Sequence, residues 1–185
     1  MDKSRNFYKD TYHHLYNRGA LKSNIFNDRD DYILFLKRLR YYKIKYKIQI
    51  LVYCLMSNHF HFFVKQITHT HSISNFVSDL SNSYTKSFNK KYVKNGVLFE
   101  GRIKSKHITD EHYFKWIIKY ILENPVKAKL VENIYDWEFS NAKDLLKLRN
   151  GTLSDVEEVY SYFDSFESMK EFLVDKSIKV NYDFP

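Results

Sequence analysis

The segment from Ile48 to Lys65 constrains the fold more than any other part of the chain. An apolar, partly β-branched run, Ile48 to Met56, leads through Ser57-Asn58 into His59-Phe60-His61-Phe62-Phe63-Val64-Lys65. Successive side chains of a strand point to opposite faces, so the pattern predicts a β-hairpin closed by a tight turn at Ser57-Asn58. The second strand of this hairpin has two unlike faces. Phe60, Phe62 and Val64 go to one side, where a helix can bury them, and His59 and His61 go together to the other.

The flanking segments supply the cover. Tyr12 to Asn17 reads as a first strand stopped by Arg18-Gly19, and Asn27 is placed to cap a helix carrying Tyr32, Phe35, Leu36 and Leu39 as far as about Tyr46. After the hairpin, Ile73, Phe76, Val77, Leu80, Tyr84 and Phe88 recur at helical intervals behind a candidate cap at Ser72. Asn95-Gly96 predicts a turn, and Val97 to Ile108 supplies strand material. Asp110 can cap a third helix that stops near Pro125, because proline disfavours the helical conformation of the residue before it. The order βαββαβα suits an α+β fold, a ferredoxin-like or RRM-like antiparallel sheet with helices packed on it. The 185 residues, 44% of them hydrophobic, suffice for one core. Residues 1–140 are expected to form this domain. Residues 141–185 are expected to form a helical C-terminal extension, with short helices at Asp155 to Phe163 and Phe166 to Val174.

Thirty Lys and Arg against 22 Asp and Glu leave a charge of +8, which favours a polyanionic partner. The 18% aromatic share, interleaved with lysines, suits stacking on unpaired bases while the lysines meet phosphates. A single cysteine, Cys54, lies inside the apolar run, which excludes an intrachain disulfide and fits a reducing compartment. No run approaches the ~18 apolar residues of a membrane span, and Met1 to Arg5 leads into no apolar segment. A soluble cytoplasmic protein without membrane association is the expectation.

Two imidazoles on one strand face can converge on a divalent metal, or they can be a hydrogen-bonded surface pair; the spacing allows both. The third helix places Tyr113, Ile117, Tyr120 and Asn124 near one face. Tyr120 and Asn124, at i and i+4, are surface neighbours, so one helix can deliver a hydroxyl nucleophile and an oxygen ligand together. Among 16 tyrosines, spacing alone also allows Tyr120 to be a core aromatic with its hydroxyl at the rim.

The stretch Met56-Ser57-Asn58-His59-Phe60-His61-Phe62-Phe63-Val64 resembles the His-hydrophobe-His (HUH) motif of the single-tyrosine transposases of the insertion-sequence-200 class. Tyr120-Ile121-Leu122-Glu123-Asn124-Pro125-Val126-Lys127-Ala128, with Asp136-Trp137 and Ser140 beyond it, resembles their REP-associated branch. Tyr12-His13, Asn17-Arg18-Gly19, Ile25-Phe26 and the stretch from Gly96 to Ser105 fit the same family pattern, in order, from about Tyr12 to Ser140. There are two departures: Ser57 stands where a proline is usual, and Lys129 where a glycine is common.

The resemblance implies an enzyme that nicks and rejoins single-stranded, hairpin-containing DNA through a 5′-phosphotyrosine. It implies Tyr120 as the nucleophile, and His59, His61 and Asn124 as ligands of Mg²⁺ or Mn²⁺. Arg18, Arg102, Lys104 and Lys106, with Lys86, Lys90 and Lys91 at the end of the second helix, are the candidate DNA contacts. The family includes dimers whose tyrosine helix serves the partner's histidines; the Asn-Pro signature points instead to a monomer with its site in cis. The alternative is a non-catalytic single-stranded nucleic-acid-binding module derived from such a transposase. A hydrolase that activates water at the two histidines would cleave without a covalent adduct.

Overall fold

A computed structural model describes residues 7–69 and 73–179. The strands β1 (Thr11–Arg18), β2 (Ile48–Met56), β3 (His59–Gln66) and β4 (Lys104–Ile108) form one sheet in the order β2-β3-β1-β4, and every neighbouring pair is antiparallel. With helices α1 (Arg29–Tyr46), α2 (Ile73–Tyr92) and α3 (Glu111–Lys127) between and after them, the chain follows the βαββαβα order of a ferredoxin-like sandwich. Shorter helices α4 (Ala142–Leu145), α5 (Val156–Tyr160) and α6 (Phe166–Val174) complete it.

The hairpin alternation decides which helices cover which face. Phe60, Phe62 and Val64 join Leu15, Ile50 and Leu55 in a core shared with Phe35 and Leu39 of α1 and with Phe76, Leu80, Tyr84 and Phe88 of α2. The opposite face gives Val52, Cys54 and Phe63 to a second core, closed by Phe114, Ile117, Ile118, Ile121 and Leu122 of α3. A register shift between Ile50 and Val52 turns Leu51 to the α3 side as well, so β2 changes its alternation midway. The residues that would have been a regular period-2 run therefore serve both cores.

Element ends differ from the sequence reading in three places, each for a local reason. Asp28, not Asn27, caps α1: its carboxylate accepts from the Asp31 amide while the Asp31 side chain accepts from the amides of Asp28 and Asn27. The expected cap at Ser72 lies outside the described residues. Of the Val97 to Ile108 stretch only Lys104–Ile108 is strand. Before it, the Leu98, Phe99 and Ile103 side chains plug the core under α2, and Gly101 takes a left-handed φ of 70°. Finally, α3 continues through Pro125 to Lys127. Proline removes the N–H that would have reached the Ile121 carbonyl, and the side-chain amide of Asn124 lies beside the gap, donating to the Tyr120 carbonyl at 2.8 Å and more weakly to that of Ile121 at 3.5 Å. Beyond it Lys129 adopts a left-handed φ of 57°, the conformation a glycine would favour there.

The segment after Ser140 is stitched to the sheet and to α3. Asn141, fully buried, accepts from the Tyr53 amide at 3.0 Å and donates to the Leu51 carbonyl at 2.8 Å, capping the free edge of β2. Met169 and Leu173 of α6 enter the α3-side core. Lys119 of α3 is buried with its ammonium on the carbonyls of Phe172, Leu173 and Asp175 and in an ion pair with Glu123. A buried ammonium is tolerated only with this many acceptors.

Candidate active site

His59 and His61 share one face of β3, and that face lies under α3. Their ring centroids are 5.1 Å apart, and the Tyr120 ring stands edge-to-face against His61 at 5.5 Å. Asn124, one turn beyond Tyr120, lies close enough to the His59 side chain to influence its protonation. Because the Asn124 amino group is spent on the Tyr120 carbonyl, the amide turns its oxygen outward from the helix. The four residues picked from the sequence are therefore gathered at one place, two from β3 and two from α3.

The donor set is two imidazoles and one amide oxygen, all neutral. Burial pushes the His59 and His61 imidazoles below their ordinary range, His61 strongly, which keeps both in the uncharged form that a metal ligand requires. Among the described residues no group of three or more His, Cys, Asp or Glu side chains gathers to hold a metal. The amide oxygen of Asn124 is the further group that could join the two histidines, and a mixed nitrogen and oxygen set suits a hard or borderline divalent ion.

Sequence reading passed over two neighbours of these histidines. His14 of β1 is fully buried beside His61, and Tyr16 stacks on His14 at 4.9 Å and on His61 at 5.9 Å. Two adjacent histidines, His13 and His14, left the choice of face open until the register paired Tyr16 with His61. Tyr84, the other tyrosine in a regular helical stripe, is fully buried; its hydroxyl donates to the Ile25 carbonyl and burial raises its pKa far above the phenol range. It is a core residue on the opposite side of the sheet.

The basic residues divide. Arg18, paired across the strands with His59, is held by Glu100 through two contacts. Lys104 and Lys106 stand exposed on the α3 side of β4, Lys104 over the Tyr16 ring and Lys106 donating to the Tyr113 hydroxyl. Arg102 lines a groove of about 840 Å³ of mixed character, with Asn17, Ser78 and Asn82 beside Val97, Leu98 and Ile103. Lys86 and Lys90 are exposed on α2, whereas the Lys91 ammonium is taken up by Asp28 at 2.7 Å and Asp31 at 2.8 Å.

A four-stranded antiparallel sheet of this topology, with helices packed on it, is the fold of a known class of transposases. The model of the IS200-like transposases matches residues 7–124, and the chain belongs to that family. Among solved structures it is similar to a REP-associated tyrosine transposase bound to a REP hairpin, at 18% identity and a TM-score of 0.65, covering 84% of this chain and 93% of that one. A tRNA(His) guanylyltransferase from Saccharomyces cerevisiae aligns at 10% identity and a TM-score of 0.46, over 93% of this chain and 80% of that one. No protein of curated function matches the chain by sequence. Among the described residues no helix is long and apolar enough to cross a membrane.

Proposed function

We propose that this transposase nicks and rejoins single-stranded, hairpin-containing DNA, with Tyr120 as the nucleophile and His59, His61 and Asn124 as ligands of Mg²⁺ or Mn²⁺. The observation that carries the reading is the packing of the Tyr120 ring against His61 while Asn124, on the same helix, reaches His59. When bound, the metal supplies Lewis-acid stabilisation of charge on a non-bridging phosphate oxygen.

The protein's own part is positioning. A free phenol, with a pKa near ~10, is a poor nucleophile at neutral pH, so its approach to phosphorus must be held in line with the leaving oxygen. Tyr120 Oη bonds to phosphorus as the bond to the 3′-oxygen breaks, and that oxygen takes up a proton and leaves as a 3′-hydroxyl. The 5′-phosphate stays on the tyrosine. Attack by another 3′-hydroxyl reverses the exchange and rejoins DNA without ATP. Labelled hairpin DNA incubated with Mn²⁺ and run on a denaturing gel tests this: protein-linked label is expected, and cleavage without it points to a water-activating hydrolase. Binding with no cleavage at all would leave a non-catalytic module.

Arg102, Lys104, Lys106, Lys86 and Lys90 are the proposed phosphate contacts. The charges of Arg18 and Lys91 are already balanced by carboxylates in the free protein, so they join only by exchanging partners. Lys104→Ala and Arg102→Ala are each expected to weaken hairpin binding and to flatten the dependence of log K on log salt by about 0.7–0.9 for each phosphate no longer neutralised. Binding that keeps the wild-type salt slope in both variants removes them from the interface.

A further inference from the structure

His61 has a histidine neighbour to which the catalytic reading gives no role. Nε2 of His14 lies 2.9 Å from Nδ1 of His61, and the two buried rings stand nearly parallel, 18° apart with centroids at 5.1 Å. Tyr16 pairs with His61 and His14 with Phe63, so the two histidines meet diagonally across β1 and β3 and the strand register holds the contact. His59 is arranged in the same way: its Nδ1 is 2.6 Å from the Asn58 side-chain oxygen, while the Asn58 amino group donates to the Lys22 carbonyl at 3.3 Å. In both histidines Nδ1 is occupied by a local partner, which leaves Nε2 as the nitrogen to offer a ligand.

The two partners are not equivalent. An amide oxygen only accepts, so Asn58 compels His59 to carry its proton on Nδ1 and a lone pair on Nε2. An imidazole nitrogen either donates or accepts. If His14 donates, His61 accepts on Nδ1 and keeps its own proton on Nε2, where it blocks a cation. If His14 accepts, the His61 proton sits on Nδ1 and the lone pair faces the site.

We propose that His14 is a positioning residue: it accepts a hydrogen bond from Nδ1–H of His61, fixing that ring's plane and aiming its Nε2 lone pair at the position shared with His59 and Asn124. This rests on the metal site proposed above.

Two measurements test it. ¹⁵N-histidine NMR of the wild-type protein without metal is expected to show His61 mainly as the Nδ1–H tautomer; a His61 that is mainly Nε2–H overturns the proposal. This spectrum needs no substitution and so stands should His14→Phe not fold. Mn²⁺ binding is then titrated by EPR in the absence of DNA. His14→Phe is expected to weaken affinity by about 10- to 100-fold, whereas His14→Gln, whose amide oxygen can accept, stays within a few-fold of wild type. Hairpin binding in EDTA is expected to be unchanged in both. Mn²⁺ uptake lost in His59→Ala but kept in His14→Phe removes the role of His14 alone; wild-type protein that binds no Mn²⁺ removes the metal site and this role with it.

Discussion

Tyr120→Phe is expected to abolish the covalent protein–DNA adduct and strand transfer while leaving the fold and hairpin binding in place. The change deletes one hydroxyl and keeps the ring that stands against His61 and His14. Adduct formation should fall to background on a denaturing gel, because the proposed nucleophile is removed. Tyr84→Phe is the control that separates nucleophile from core: its hydroxyl is buried on the other side of the sheet against Ile25, so the adduct should persist while stability falls. An adduct that survives Tyr120→Phe and disappears in Tyr84→Phe would falsify the assignment.

The second large effect is on the histidines. His59→Ala and His61→Ala are each expected to lower cleavage on the order of 10³-fold or more, since several kcal/mol of transition-state stabilisation go with the ion, and to leave hairpin affinity within a few-fold of wild type, since Lys and Arg supply the phosphate contacts. His59→Ala is the cleaner variant. His61→Ala leaves His14 without the partner it meets at 2.9 Å, so its circular dichroism has to be matched to wild type first. If folded variants lose binding and cleavage together, the histidines organise DNA rather than chemistry. Mixing Tyr120→Phe with His59→Ala also tests assembly. On the Asn124-Pro125 signature we propose a monomer acting in cis, and the mixture is expected to form no adduct. An adduct restored by mixing means that two chains share the site.

What the sequence made legible was governed by period. The hairpin, α1, α2 and the shared face of His59 and His61 follow from alternation of 2 and 3.6, which local side-chain direction enforces. The same periodicity set Tyr120 and Asn124 side by side on α3. Less legible were features that depend on what a neighbour does. Asn124 gives its amino group to the helix backbone beside Pro125, so a residue expected to end α3 instead lies within it. Leu98 and Phe99 look like strand residues, yet they fill a space under α2 that no local pattern reveals. His14 became readable only with the β1–β3 register, because either of two adjacent histidines could have faced α3. Lys119 reads as an ordinary surface charge until α6 brings three carbonyls to it.

That lysine also sets a condition on how the proposed nucleophile can move. Lys119 precedes Tyr120 directly, and its ammonium is anchored in the end of α6 while the tyrosine ring leans on the sheet. The helix is thus gripped from both flanks at adjacent residues. Swinging α3 away would carry the Lys119 ammonium off the carbonyls of Phe172, Leu173 and Asp175, at a cost of about 1–3 kcal/mol for each acceptor left buried and unpaired. On the proposed mechanism, the DNA ends rather than Tyr120 are then the parts expected to travel between cleavage and rejoining.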